Sequence, residues 1–253
     1  MTLHVDQRGS GPDLVLLHGW ALHGGAWSSV AARLAARFRL HVIDLPGHGH
    51  SRDLAFTDLD SLAAQVAPAV PEGSVVCGWS LGAQVAMRLA EAASLGIRAL
   101  GLVASTPSFV TRDGWSPGIA PAVLEGFRRD LRRDRIATVR AFLQLNARGA
   151  SGARACVRRL EALIGERPAA SGAALAAGLD VLACTDLRTR SAALSQPALV
   201  IHGLRDELVP VEAGRLLAAS LPNARFVGID DAAHAPLVSH ADALATALER
   251  LDG

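Results

Sequence analysis

The sequence has no lysine, no tyrosine and only three cysteines in 253 residues. Each shortage removes a class of function. Cys77, Cys156 and Cys184 are scattered and form no C-x-x-C pair. Neither a disulfide scaffold nor a cysteine-bound metal is expected from them. An odd, sparse set fits reduced thiols in a cytoplasm, each serving as a small apolar core residue. Long apolar runs are also missing. Leu14–Leu17, Val75–Cys77 and Ala198–Ile201 are short, far below the roughly 18 residues a membrane span needs. The N-terminal stretch MTLHVDQRGSGPDLVLLHGW lacks a basic head and a long apolar segment, so no secretory leader is expected. The expectation is a cytoplasmic chain without membrane contact. All 25 basic residues are arginine, which reflects composition more than function. Their placement says more. Residues 128–159 carry a net charge of +8 and the rest of the chain −7, hidden inside a total of +1. No nucleic-acid motif or aromatic platform accompanies that charge, so nucleic acid is not the expected partner.

Half of the residues are hydrophobic, enough for one sizeable α/β core. Short apolar strands alternate with helical patterns, the signature of a mostly parallel sheet with helices on both faces. Strands are expected at Leu14–Leu17, Leu40–Ile43, Ser74–Cys77, Leu100–Ala104, Ala198–His202 and Phe226–Ile229. Helices are expected at Trp27–Arg37, Leu59–Ala69, Leu81–Ala93, Val211–Ser220 and Ala241–Leu251. The opening Leu3–Gln7 with Arg8-Gly9-Ser10-Gly11 reads as an antiparallel hairpin strand and turn. Between Ala104 and Pro197 the strand pattern stops. Ala120–Leu131, Ile136–Leu145, Ala153–Ile164 and Ala173–Leu182 read as helices instead. Ninety residues of helix are too many for a crossover, so an inserted helical cap is expected. The division is a core of residues 1–108 and 191–253 and a cap of residues 109–190.

The stretch Gly78-Trp79-Ser80-Leu81-Gly82 lies between a strand and a helix. Serine there is either a helix cap or the nucleophile of a strained strand-to-helix elbow. Two further polar residues decide between them. Asp206 follows the strand Ala198–His202, and His234 follows Phe226–Ile229. Ligands of parallel sheets bind where strands end at their carboxyl edge. A serine hydroxyl needs a base to become nucleophilic. A histidine can take that proton and return it to a leaving group, and an aspartate fixes the imidazole tautomer. Ser80, Asp206 and His234 are therefore the candidate catalytic residues. The oxyanion donors are expected to be the backbone N–H groups of Leu81 and of Trp20 in His18-Gly19-Trp20. Asp44 is set aside because it precedes the nucleophile, and His48 with His50 because two histidines alone make a poor metal site. Glu207 and Asp231 stand beside the chosen acid and base as rival acids. No metal and no cofactor are expected.

Leu17-His18-Gly19-Trp20, Asp44-Leu45-Pro46-Gly47-His48-Gly49, the Gly78–Gly82 stretch and His234-Ala235-Pro236 resemble the α/β-hydrolase superfamily. Val103–Phe109, Arg112-Asp113, Trp115, Pro117-Gly118-Ile119, Thr185–Arg188 and Ala232–His240 narrow the resemblance. They are similar to the family of pimeloyl-[acyl-carrier protein] methyl ester esterases of biotin synthesis. The resemblance implies a serine carboxylesterase that releases methanol from its carrier-bound substrate. It implies substrate contacts at Trp20, Ser80, Leu81, Phe142, Leu143, Gln144, Leu145, Asn146 and His234. It also implies that acyl-carrier protein docks on cap arginines, at Arg154 and Arg158. Ala137 and Ala141 fall where the family carries further arginines, and Arg140 or the Arg128–Arg135 cluster would substitute. A monomer is expected. The alternatives are a broad short-chain carboxylesterase or a carbon–carbon bond hydrolase on the same scaffold, and a non-catalytic ligand receptor.

Overall fold

The computed structural model describes residues 2–252. Its strands are β1 (Val5–Arg8), β2 (Asp13–Leu17), β3 (Arg39–Ile43), β4 (Val75–Trp79), β5 (Ala99–Val103), β6 (Ala198–Gly203) and β7 (Ala224–Ile229). The helices outside the insertion are α1 (Ser28–Leu34), α2 (Leu59–Val66) and α3 (Leu81–Ala90). The insertion holds α4 (Pro121–Arg133), α5 (Arg135–Ala147), α6 (Ala153–Ile164), α7 (Gly172–Cys184) and the short α8 (Arg188–Ser191). The chain then continues through α9 (Val211–Ser220), α10 (Pro236–Ser239) and α11 (Ala241–Leu248).

The strands form one sheet in the order β1-β3-β2-β4-β5-β6-β7. All neighbours are parallel except β1 with β3. The α/β expectation of a mostly parallel sheet holds. The hairpin expectation for the first strand does not. β1 pairs with β3 and not with β2, in the register Val5↔Ile43 to Arg8↔Leu40. Both edges of β2 are already taken, by β3 and β4, so the first strand joins the free edge of β3. The turn between them crosses the end of α1. Gly9 and Gly11 have positive φ there, and a Cβ on either would strike the backbone of Ala35, Arg37 or Phe38.

Right-handed crossovers put α1 and α11 on one face of the sheet, and α2, α3 and α9 on the other. Both faces are thereby covered, which is why β4, β5 and β6 are continuous buried runs and not alternating ones. Several helices end earlier than the apolar pattern suggests. α2 stops at Val66 and tightens into a 3-10 turn at Ala67–Ala69, where Pro68 has no N–H to continue the ladder. α11 likewise gives way to a 3-10 turn after Leu248. The four longer insertion helices lie between β5 and β6, and their inner residues join the main core. No helix among the described residues is long and apolar enough to cross a membrane.

Candidate active site

The order of connections reverses between β2 and β4. From β2 the chain runs outward to β3, and from β4 it runs the other way to β5. Such a reversal opens a crevice at the carboxyl ends of the two strands. The His18-Gly19-Trp20 loop leaves β2 there, and Ser80 leaves β4 beside it.

Ser80 has φ 55° and ψ −115°, a backbone conformation that side chains other than glycine rarely adopt. It is nominally the N-cap of α3 but makes no side-chain cap bond. The strain is held by its neighbours. A Cβ at position 78 would come within 2.1 Å of the Gly82 carbonyl oxygen, and one at position 82 within 2.5 Å of the Leu17 carbonyl oxygen. Only glycine lets the strand, the helix and the β2 loop approach this closely. Ser80 N–H donates to the Val103 carbonyl at 2.9 Å, tying the elbow to β5.

The Ser80 hydroxyl donates to His234 Nε2 at 2.9 Å, and His234 Nδ1 donates to Asp206 Oδ2 at 2.8 Å. The backbone N–H groups of Leu208 and Val209 donate to Asp206 Oδ1, each at 2.9 Å. Burial pushes the Asp206 carboxyl up, but His234 and His202 outweigh it and hold the group well below the usual carboxylate range. Trp79 Nε1 donates to the His234 carbonyl at 2.7 Å, which fixes the histidine loop from the side of the elbow. The three residues that the sequence places after three different strands thus form one hydrogen-bonded chain. Such a chain is suited to proton removal from a nucleophilic hydroxyl.

The rival acids have other partners. Glu207 pairs with Arg148 at 2.6 Å, and Asp231 accepts from the Ser151 hydroxyl. Both partners sit on the turn between α5 and α6, whose Gly149 is packed on the Arg205 carbonyl. That turn is therefore tied to the acid loop and to the histidine loop at once. Asp44 is fully buried and accepts from Gly24 N, His50 N and Arg167. Arg167 also bridges to Asp6, so it anchors the α6–α7 linker to the core. His48 and His50 diverge: His48 packs against His18, and His50 against His4.

The loop expected to supply an oxyanion donor is locked by His18. Its Nδ1 donates to the Gly19 carbonyl at 2.8 Å, and its Nε2 accepts from Leu45 N–H at 2.9 Å. Burial drives the His18 pKa down to about 3, so the neutral ring that these bonds require is kept. Gly19 lets the loop lie flat on Trp79, where a Cβ would meet the indole at 3.0 Å. The Trp20 indole points up into the insertion. Its Nε1 donates to the Leu175 carbonyl at 2.9 Å, and its ring meets Phe142 edge-on at 4.7 Å. Leu81 occupies the first turn of α3, where a helix N–H has no partner within the helix.

Of the five residues Phe142–Asn146, Phe142, Leu143 and Asn146 face inward. Asn146 Nδ2 donates to the Phe142 carbonyl, while its buried Oδ1 has no partner among the described residues. Leu145 is half-buried. Gln144 is exposed, because two residues along a helix turn it to the face opposite Phe142. It is not part of the inward set. Arg154 and Arg158 are exposed on α6 and share a helix face with Glu161. Glu161, with Arg135 and Arg140, lines a groove of about 580 Å³. The floor of the groove is apolar, with Leu22, Val139, Ile164 and Leu175. It runs between the insertion and Ala21, Leu22 and His23 of the loop after β2, and Ser80, Leu81 and His234 are not in its lining. Ile136 stands at its edge, 63% exposed.

The model of the Alpha/beta hydrolase family matches residues 14–247. The chain belongs to the α/β-hydrolase family. It is also 41% identical over 250 residues to the pimeloyl-[acyl-carrier protein] methyl ester esterase of Nitrosomonas europaea, covering 99% of each chain. It is 44% identical over 242 residues to the protein of the same name from Aeromonas salmonicida, covering 95% of each. Among solved α/β-hydrolase structures, an esterase from Exiguobacterium antarcticum superposes with a TM-score of 0.89 at 20% identity, over 99% of this chain and 96% of that one. A bromoperoxidase from Bacillus anthracis gives 0.88 at 22%, over 98% and 94%. These two likenesses speak for the hydrolase fold alone.

His18, Arg167 and the pair Arg148 and Ser151 are the site-supporting residues that motif reading missed. His18 lies inside a recognised motif, but the sequence shows nothing of its bond to Leu45. The other three act across the join between insertion and core, and no local pattern marks them.

Proposed function

We propose that this protein is a serine carboxylesterase that hydrolyses the methyl ester of pimeloyl-[acyl-carrier protein] in biotin synthesis. Full-length similarity at 41–44% identity to relatives named for that reaction points to the substrate. The hydrogen-bonded chain Ser80–His234–Asp206 supplies the chemistry. His234 takes the Ser80 proton as Oγ attacks the ester carbonyl. The oxyanion is received by the N–H groups of Leu81 and Trp20, each such donor contributing about 3 kcal/mol to the transition state. His234 then protonates the departing methoxide, and methanol leaves. Water, activated by the same histidine, splits the acyl-enzyme and returns Ser80 its proton. The product is a free carboxylate still carried on its protein.

In this proposal the insertion is a cap that presents the substrate. The apolar groove receives the acyl chain and the arm that bears it. Arg135 and Arg140 at the rim, with Arg154 and Arg158 along α6, attract the acidic carrier. Ile136 offers it an apolar contact between charges.

The test is methanol release from pimeloyl-carrier methyl ester, measured beside a short nitrophenyl ester. It is paired with rescue of a biotin-requiring strain lacking its own esterase. The carrier substrate should be preferred in kcat/KM, and the strain should grow with the native gene but not with Ser80→Ala. Turnover of the soluble ester alone, without rescue, would replace this proposal by a broad esterase.

A further inference from the structure

His202 is the next-to-last residue of β6 and is wholly buried. Its Nε2 donates to the Val209 carbonyl at 2.9 Å and lies 3.3 Å from Asp206 Oδ2. A carbonyl and an ionised carboxylate can only accept, so the ring proton sits on Nε2. The other nitrogen, Nδ1, is buried with no partner among the described residues. It faces Gly214 on α9, where a Cβ would come within 2.4 Å. A proton on Nδ1 would find no acceptor there. A bare buried nitrogen carries a desolvation cost, and a leucine or phenylalanine would fill the same space without it. Packing alone therefore does not account for a histidine.

We infer that His202 is a positioning residue for Asp206: its Nε2–H clamps the acid loop through Val209 and gives Oδ2 a second N–H neighbour beside His234. The carboxylate is then surrounded on both oxygens, Oδ1 by Leu208 and Val209 N–H and Oδ2 by His234 and His202. The inference rests on Asp206 being the acid of the proposed esterase. Other charged groups around this loop point outward. Arg205 and Glu207 are exposed on the acid loop, and Arg148 pairs with Glu207 from the insertion. Asp230 and Asp231 are exposed on the histidine loop, with His240 half-buried behind them, and Glu212 and Arg215 on α9 face solvent. By holding Asp206 in place, His202 acts on the orientation of the His234 ring.

The test uses the full chain and a small soluble ester, so that carrier docking plays no part. In His202→Phe, kcat should fall about tenfold with KM within about twofold, the size typical of losing an outer partner of a site residue. His202→Gln, whose amide N–H can reach the Val209 carbonyl, should recover most of kcat. An unchanged kcat in His202→Phe would overturn the inference. So would a loss of kcat that glutamine leaves unrepaired. NMR of the ring nitrogens in the unaltered protein decides the matter even where His202→Phe does not fold. A proton on Nε2 supports the clamp, and one on Nδ1 refutes it. Full activity in Asp206→Asn would instead remove the triad beneath it, a separate failure.

Discussion

At the carboxyl edge of the sheet, Ser80, Asp206 and His234 are 6%, 7% and 0% exposed. Each is held by backbone donors or by glycines that admit nothing larger. A few residues away in space, α4 to α6 carry arginines in open solvent, and α4 buries just one side chain, Leu124. The contrast separates two tasks. Bond cleavage draws on preorganised dipoles in a place that excludes water. Recognition of a charged partner draws on exposed charge that acts at a distance and falls with salt. The two regions meet at several points, among them Trp20 against Phe142 and Leu175, His23 against the Leu163 carbonyl, Arg167 against Asp44, and the α5–α6 turn against both catalytic loops.

The largest effect expected is on the buried side. Ser80→Ala should lower kcat by about 10⁴–10⁶-fold on both the carrier-bound methyl ester and a soluble ester. Binding of the carrier should persist, because its surface is left intact. Single-turnover kinetics and a fluorophosphonate label test this together. Residual turnover above about a hundredth of the native rate, or a label elsewhere than Ser80, would sink the assignment of the nucleophile.

The same contrast explains what the sequence makes legible. Strands covered on both faces appear as plain apolar runs, and the residues after them can be read as site candidates. Ser80, Asp206 and His234 were legible in this way, and the structure brings their side chains into hydrogen-bond contact. Contacts between distant segments leave no such trace. Nothing in Leu3–Gln7 says that it pairs with β3, because the edge it fills is created by the later strands. That Gln144 faces outward from the Phe142–Asn146 stretch follows from helical rotation, which a contiguous motif does not display. His202 reads as the end of a strand, since its nearness to Asp206 depends on how the loop after β6 returns to it.

A second prediction concerns stability, and again divides core from insertion. Burial lowers the His18 pKa to about 3 and the His48 pKa to about 4, from an ordinary value of 6.5. Below pH 6.5 the unfolded chain binds protons that the folded rings do not. Stability is therefore full above that pH and declines as pH falls toward 4, by as much as roughly 1.4 kcal/mol per pH unit for each ring. Urea midpoints at pH 7, 6, 5 and 4.5 should fall progressively. His48→Gln should flatten the slope, whereas arginine substitutions in the insertion should leave it unchanged. A flat profile for the native protein would contradict the buried neutral rings.

A smaller effect, confined to one substrate, is expected on the exposed side. Reversing Arg135 and Arg140 together, or Arg154 and Arg158 together, should reduce kcat/KM for the carrier-bound ester about 10–100-fold at low salt. Soluble esters should be turned over within about twofold of the native rate, because no reacting group is touched. Raising the ionic strength should shrink the difference as the charges are screened. Comparing the pairs ranks the groove rim against α6 as the docking face. An equal loss on both substrates would mean that the arginines shape the site and do not recruit the partner.

The smallest effect tests the boundary itself. Glu207 and Asp231 flank the acid and the base, yet both are exposed and engage the α5–α6 turn through Arg148 and Ser151. Exposed pairs of this kind contribute about 0–1 kcal/mol. Glu207→Gln and Asp231→Asn should therefore keep kcat within about threefold. Asp206→Asn, one position from Glu207, should lower it about 10⁴-fold by leaving the wrong imidazole tautomer. The three variants differ by a single atom exchange each, so volume and packing stay nearly constant. If Glu207→Gln instead costs hundreds-fold, the acid loop depends on its tie to the insertion. The separation of a buried catalytic edge from an exposed recognition layer would then fail at the point where they touch.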